Sequence, residues 1–269
     1  MFLIASTCTC GVALLGLMAP LDPVFELATH CYMHCWIASL VLLATGLVLK
    51  ARRSLLISFA ALLISSWFVQ PWSLWRPMSV RTDLTDEIQV LSWNLLVSNR
   101  SYSEVEKIIR EVDPDVLVLV ELRHGFIDEL PYISENFPHQ FQYPSWGGEG
   151  IGVFSKIPGT TFRLEDFDYE FQPAVISNIP GPQGKELELV ALHALSPLPR
   201  YRTRIRDRQI RSVIDWSQGR GPLCVCGDFN TTPWTPAFRE MVQSDFVDSR
   251  MGTGTVSYTH LTLPTICSV

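Results

Sequence analysis

The chain has 269 residues, 47% of them hydrophobic, with 27 acidic against 21 basic side chains and a formal net charge of −6. A mean hydropathy of +0.18 is high for a soluble enzyme, and the acidic balance argues against indiscriminate nucleic-acid binding, leaving only a local basic patch as a route to it. The seven cysteines fall in apolar helices, a core strand and the C-terminus, which excludes a disulfide-framework fold.

The apolar excess is concentrated at the front. Phe2 to Met18, Cys31 to Leu49 and Ser54 to Trp75 are almost free of charge, and each approaches the roughly 20 residues that a bilayer-crossing helix needs. Met1-Phe2-Leu3 offers no basic leader, which favours a retained helix over a cleaved signal peptide. Lys50, Arg52 and Arg53 fill the link between the second and third segments, whereas Leu21 to His30 holds no base. That asymmetry predicts a cytoplasmic link and an extracytoplasmic chain beyond the third segment, with Trp67, Trp72 and Trp75 as an interfacial belt. The location expected is therefore the cell (inner) membrane, multi-pass. His30 and His34 have the spacing of metal ligands on a helix, but beside Cys31 and Cys35 at the mouth of an apolar helix they read as interfacial residues.

Pro71 to Glu87 lacks periodicity and reads as the end of the anchor and a linker. Beyond it, apolar runs alternate with amphipathic ones. Ile88 to Trp93 is expected as strand, Tyr102 to Glu111 as helix with Val105, Ile108 and Ile109 inward, and Asp115 to Leu122 as strand. Gly150 to Ser155, Ala174 to Asn178, Glu186 to Leu192 and Leu223 to Cys226 follow as strands, with helices at Arg204 to Trp216 and Thr235 to Gln243. This alternation predicts a layered α/β domain with helices covering the sheets.

Polar residues stand at the ends of the apolar strands: Asn94, Glu121, His193, Asp228 and Asn230. Strand-end loops let a rigid sheet converge distant side chains on one site. A phosphoester is anionic, so its hydrolysis needs a hard cation to offset developing charge and a base to prepare water. Glu and Asn oxygens suit Mg²⁺, Asp can orient and deprotonate a water, His can serve the leaving oxygen and an Asn amide can donate to a non-bridging oxygen. Singly these residues read as turn formers or surface partners; jointly placed, they point to phosphate chemistry. Arg200 to Arg211 holds the dense basic run, in which Arg204, Arg208 and Arg211 share one helix face, either to read substrate phosphates or as a solvated face.

These motifs are Leu91-Ser92-Trp93-Asn94, Val118-Leu119-Val120-Glu121, Gly150-Ile151-Gly152-Val153-Phe154-Ser155-Lys156, Val190-Ala191-Leu192-His193 and Gly227-Asp228-Phe229-Asn230-Thr231-Thr232-Pro233-Trp234. In order and spacing the chain resembles the endonuclease/exonuclease/phosphatase superfamily of deoxyribonuclease-like metal phosphoesterases, in a bacterial membrane-anchored branch. The resemblance implies an α/β fold of two packed mixed β-sheets flanked by helices, a four-layer sandwich, preceded by transmembrane helices. It implies metal binding by Asn94 and Glu121, catalysis by His193, Asp228 and Asn230, and Mg²⁺ or Mn²⁺ as cofactor. Arg204 and Arg208 are the candidate substrate-binding residues. The substrate expected is a phosphoester carried by a nucleic acid, a phospholipid head group or a phosphorylated sugar, hydrolysed by water attack.

One departure stands against this pattern. The superfamily closes on a Ser-Asp-His run, which Ser244-Asp245-Phe246 and the His260 segment do not match, and Val256 to Val269 resembles adapter read-through. The organisation expected is thus a membrane anchor over 1–75 with about three transmembrane helices, a linker over 76–87, the domain over 88–255, incomplete at its C-terminus, and a non-native tail over 256–269. The missing His also supports the alternative of a catalytically inactive, membrane-tethered binding protein of the same fold.

Overall fold

The computed structural model describes residues 1–70, 88–181, 184–244 and 246–249, together with the backbone of 265–268. The expected linker, Trp72, Trp75, Asp245 and His260 lie outside the described residues. The chain divides into two compact units, Met1–Ser79 with Pro197–Arg204 and Thr231–Val256 in one, and Val80–Ser196 with Ile205–Asn230 and Ser257–Val269 in the other.

The first unit is helical: α1 (Phe2–Leu17), α2 (Pro23–Thr29), α3 (Tyr32–Val48) and α4 (Arg52–Val69). The short α2 falls within Leu21 to His30, the base-free connection between the first two apolar segments. It starts where Asp22 accepts a hydrogen bond from the Val24 amide at 2.9 Å and Pro23 takes the first turn. Helix α4 inverts the soluble pattern, burying Ser54, Ser58, Ala61 and Ser65 while Leu56, Phe59, Leu63 and Trp67 are exposed. Small residues let the helices approach, and Ser58 donates to Ser6 of α1 at 3.0 Å while the Trp36 indole of α3 donates to Ser66 at 2.9 Å.

Among the described residues α4 is long and apolar enough to cross a membrane, and α2 with α3, bent by 50°, would make a second span if taken together. The 16 residues of α1, at about 1.5 Å each, fall short of a hydrocarbon core of roughly 30 Å. Three separate spans are therefore one or two by this test. Within the third expected segment α4 ends at Val69, where Gln70 caps it in the left-handed conformation.

The second unit opens with β1 (Gln89–Asn94), α5 (Tyr102–Val112) and β2 (Val116–Val120), followed by α6 (Pro131–Asn136), β3 (His139–Tyr143) and β4 (Ile151–Ser155). Strands β5 (Thr161–Glu165), β6 (Ala174–Pro180), β7 (Glu186–His193) and β8 (Leu223–Asp228) come next, β8 preceded by helix α7 (Arg200–Ser217), which belongs to this unit from Ile205 onward. Helix α8 (Pro236–Gln243) lies in the first unit, where Trp234 packs with Tyr32 and Phe68 and Arg239 stacks over the Phe68 ring. Strand β9 (Thr265–Ser268) is the last element.

Two mixed sheets result, ordered β3-β4-β2-β1-β9 and β5-β6-β7-β8. Each contains one parallel pair, β1 with β2 and β7 with β8, and the remaining neighbours are antiparallel. Period-two alternation separates the two faces of the first sheet. Val90, Val116, Val118, Val120, Ile151 and Val153 pack in one cluster with Val175, Leu187, Leu189, Ala191 and Cys226 of the second sheet. Leu91, Trp93, Leu117 and Leu119 face the other way, onto Val105 and Ile109 of α5 and the Phe126 to Phe137 segment. The expected inward stripe of α5 is the observed one, and Asp113, in the left-handed region, stops the helix before Pro114.

Candidate active site

The two parallel pairs bring four of the candidate site residues to their C-terminal ends. Asn94 closes β1, and Glu121 follows β2, its neighbour in register. His193 and Asp228 are paired residues at the ends of β7 and β8. The carboxyl ends of parallel strands are where open α/β sheets place ligands.

Asn94 joins the two sheets. Its Nδ2 donates to Glu121 Oε1 and to Asp228 Oδ2, both at 2.9 Å, while its Oδ1 accepts from the Leu96 amide at 2.9 Å. The second oxygen of each carboxylate is held by its own loop: Val97 N donates to Glu121 Oε2 at 2.7 Å, and Asn230 N donates to Asp228 Oδ1 at 2.8 Å. Two anionic groups thus share one neutral donor, and their oxygens retain open lone pairs. Asn230 itself turns away from them, donating Nδ2 to the Ala194 carbonyl at 2.8 Å.

The backbone at the site is constrained. Glu121 and Asn230 have φ of 58° and 48°, a region that costs a non-glycine residue free energy and clusters at functional sites. Gly227, at φ 122°, precedes Asp228, and a Cβ there would lie 2.1 Å from the Leu192 carbonyl oxygen. Only glycine admits the close approach that sets Asp228 beside His193.

His193 is 5% exposed, and its Nδ1 has no hydrogen-bond partner among the described residues. Burial pushes the imidazole below its ordinary value, against the upward pull of the Asp228, Glu121 and Glu149 carboxylates and of a hydrogen bond with the Gly148 backbone. A neutral ring with an unsatisfied nitrogen is suited to accept a proton or to hydrogen-bond a ligand.

Among the described residues no three His, Cys, Asp or Glu side chains gather as a metal cluster. The two carboxylates on one amide nonetheless fit a hard cation that keeps several waters and takes one or two protein carboxylates, as Mg²⁺ does. The Asn94 oxygen faces its own loop, so in this arrangement Asn94 positions the carboxylates.

Of the seven expected site residues, Asn94, Glu121, His193, Asp228 and Asn230 come together. Arg204 and Arg208 lie exposed on α7, where Arg208 is 3.8 Å from Asp168. The same helix supplies two further residues, Arg206 of the basic run and Gln209 beside Arg208, that are not among the expected site residues. Arg206 is fully buried and donates from Nη1 to the Asn230 carbonyl at 3.0 Å, its other nitrogens engaging Asp207. Gln209, also fully buried, accepts from Leu195 N at 3.0 Å and donates toward the Gln172 carbonyl. The signal was the inward stripe, since Arg206 stands four and seven residues before the buried Ile210 and Val213.

No curated protein sequence matches the chain. Among solved structures, the human Nocturnin catalytic domain is similar over 71% of this chain and 87% of its own length, at 20% identity and a TM-score of 0.52. A humanized D. rerio TDP2 matches at 18% identity and a TM-score of 0.46, covering 54% of this chain, which spans only 63% of that protein. An endonuclease/exonuclease/phosphatase from Beutenbergia cavernae matches at 18% identity and a TM-score of 0.47, over 61% of this chain and 55% of its own. The Nocturnin likeness shows the fold, two mixed sheets flanked by helices. The model of the Endonuclease/Exonuclease/phosphatase family matches residues 91–267, which include every residue of the Asn94 cluster, and the chain belongs to that family.

Proposed function

We propose that this protein is a membrane-anchored, divalent-metal-dependent phosphoesterase that hydrolyses a phosphodiester or phosphomonoester by water attack. The observation that carries the reading is the Asn94 amide held between Glu121 and Asp228 at 2.9 Å on each side. Glu121, with Asn94 beside it, would hold Mg²⁺ or Mn²⁺, and the bound cation supplies charge neutralisation at the phosphate. Asp228 takes the water's proton, Asn230, released from the Ala194 carbonyl, contacts the transition state, and neutral, buried His193 holds the phosphate or serves the leaving oxygen. Family membership supports the phosphoric ester hydrolase class, and the choice among nucleic acid, phospholipid head group and phosphorylated sugar is left to the test.

Membrane anchorage is supported by the inverted burial of α4, which turns its large apolar side chains outward and its serines inward. The positive link at Lys50, Arg52 and Arg53 favours an extracytoplasmic domain. The test is the full chain in detergent, assayed on oligonucleotides, phospholipids and sugar phosphates with Mg²⁺, with Mn²⁺ and with chelator. Metal-dependent hydrolysis that falls at least about a hundredfold in Glu121→Gln and Asp228→Asn is expected. Absence of turnover across the panel, with metal-independent binding instead, would establish the alternative of an inactive tethered binding protein.

A further inference from the structure

The loop between β3 and β4, Pro144 to Gly150, is fastened at both ends to the residue after Glu121. Ser145 N donates to the Leu122 carbonyl and Leu122 N to the Gly150 carbonyl, each at 3.0 Å. A Cβ at Gly150 would sit 1.9 Å from the Leu122 oxygen, so the fastening requires glycine there. Inside the loop, Ser145 Oγ donates to Glu149 at 2.8 Å and accepts from Gly147 N at 3.1 Å. The middle of the loop borders the candidate active site. Gly148 lies against the Glu121 side chain, where a Cβ would be 3.9 Å from Cδ, and its backbone bonds His193.

Two residues before Gly148 stands Trp146, 78% exposed. The His124 ring lies 4.8 Å from it at 33°, and Gly147 and Gly148 offer no side chain to cover the indole. The chain between Trp146 and Gly148 spans at most about 7 Å, so the residue that carries this exposed indole borders the candidate site on a tightly bonded loop. A rigid aromatic held open to water binds a planar partner with little loss of conformational freedom.

We propose that Trp146, backed by His124, is a stacking platform for an unpaired nucleobase, which makes the substrate a single-stranded nucleic acid or a nucleotide. The inference rests on the phosphoester reading above and narrows its substrate. An acidic chain gains little from phosphate-backbone attraction, whereas stacking on an aromatic face is independent of net charge and of base identity. A lipid surface is the less favoured occupant. Around Trp146 in the chain stand Tyr143, Pro144, Ser145, Gly147, Gly148 and Glu149, with His124 against its ring, and a membrane-inserting loop needs several large apolar side chains and no carboxylate.

The test measures equilibrium binding of the full chain in detergent to a short oligothymidylate and to an abasic oligonucleotide of equal length and charge. Trp146→Ala is expected to weaken oligothymidylate binding about tenfold and to leave abasic binding and Tm unchanged, while Trp146→Phe stays near wild type. Undiminished oligothymidylate binding in Trp146→Ala, or an equal loss on the abasic strand, overturns the proposal. So does a loss confined to micelles of short-chain phosphatidylglycerol. Binding also separates this inference from the catalytic one. A protein that binds the base through Trp146 yet hydrolyses nothing keeps the platform and refutes the hydrolase; hydrolysis of oligonucleotides with unchanged kcat/KM in Trp146→Ala does the reverse.

Discussion

The guanidinium of Arg206, with no exposed surface, donates to the backbone carbonyl of Asn230 at 3.0 Å. It fixes the left-handed turn that carries Asn230 and returns its amide to Asp228 at 2.8 Å. One turn further along α7, Gln209 holds Leu195, just past His193. The helix thereby holds the loops after both parallel strands of the second sheet. Arg206→Ala leaves the Asn230 carbonyl and the Asp207 carboxylate without their buried partner, at an expected cost of about 3–5 kcal/mol. Arg206→Lys keeps the charge and loses the fork, so it should recover part of the stability while hydrolysis remains impaired. Chemical denaturation and the substrate panel, run on both variants, check this. A stable, fully active Arg206→Ala protein would remove Arg206 from the positioning of the site.

Both amide hydrogens of Asn94 are engaged, and its carbonyl oxygen accepts from the Leu96 amide. Asn94→Asp replaces a donor by a third carboxylate and should separate Glu121 from Asp228 by like-charge repulsion. Asn94→Ala merely deletes the bridge. The expected order of activity is wild type, then Asn94→Ala reduced about 10–100-fold, then Asn94→Asp, with the Mg²⁺ concentration for half-maximal rate raised in Asn94→Ala. An unchanged metal titration in Asn94→Ala would show that the bridge does not position the carboxylates.

What was legible in the sequence follows burial. Strands β1, β2, β4 and β7 are mostly buried, so they read as apolar runs, and the candidate site residues Asn94, Glu121 and His193 stand where three of those runs end. Strands β3 and β5 were missed because each is an edge strand paired on one side only, with the half-exposed sequences His139–Tyr143 and Thr161–Glu165. Strand β9, within the stretch read as a foreign tail, pairs antiparallel with β1. Arg206 was hidden by composition, since Arg200, Arg202, Arg204 and Arg208 surround it at every second position and only helical phase distinguishes the buried one. The carboxylate bridge was beyond reach because it depends on which Asn94 atom faces which loop.

Gly227 tests the strand-end geometry without removing a polar group. With φ of 122° and a Cβ position 2.1 Å from the Leu192 oxygen, Gly227→Ala must displace β8 from β7 at the level of His193 and Asp228. A loss of at least about 1–3 kcal/mol is expected, with hydrolysis reduced further than the unfolded fraction explains. Gly219, also at positive φ but with nothing near its Cβ position, is the control, where alanine costs the backbone strain alone. Equal Tm shifts in the two variants would mean that the close approach to Leu192 carries no constraint.

Asp113, at the C-terminal cap of α5, gathers Tyr132 of α6 and Lys156 after β4. Tyr132 Oη donates to its Oδ1 at 2.5 Å, and the Lys156 ammonium pairs with the same oxygen. The hydrogen bonds from Lys156 and then Tyr132 hold the Asp113 carboxyl below its ordinary 3.8, and the same contact raises the Tyr132 phenol above 10.0. For the carboxyl, a lowered folded-state value means that its contribution is complete above 3.8 and is lost as pH falls through that lowered value. For the phenol, a raised value means a contribution complete below 10.0 and lost as pH rises through the raised value. The Asp113 side chain is 63% exposed, so screening limits the whole effect to about 0.2–1 kcal/mol. Asp113→Asn, which tolerates the left-handed backbone, should leave the fold intact, flatten both limbs of the stability profile and make the difference from wild type largest between them. Urea denaturation across that pH range checks it, and a pH-independent difference would assign the loss to packing at the cap rather than to the charged contact.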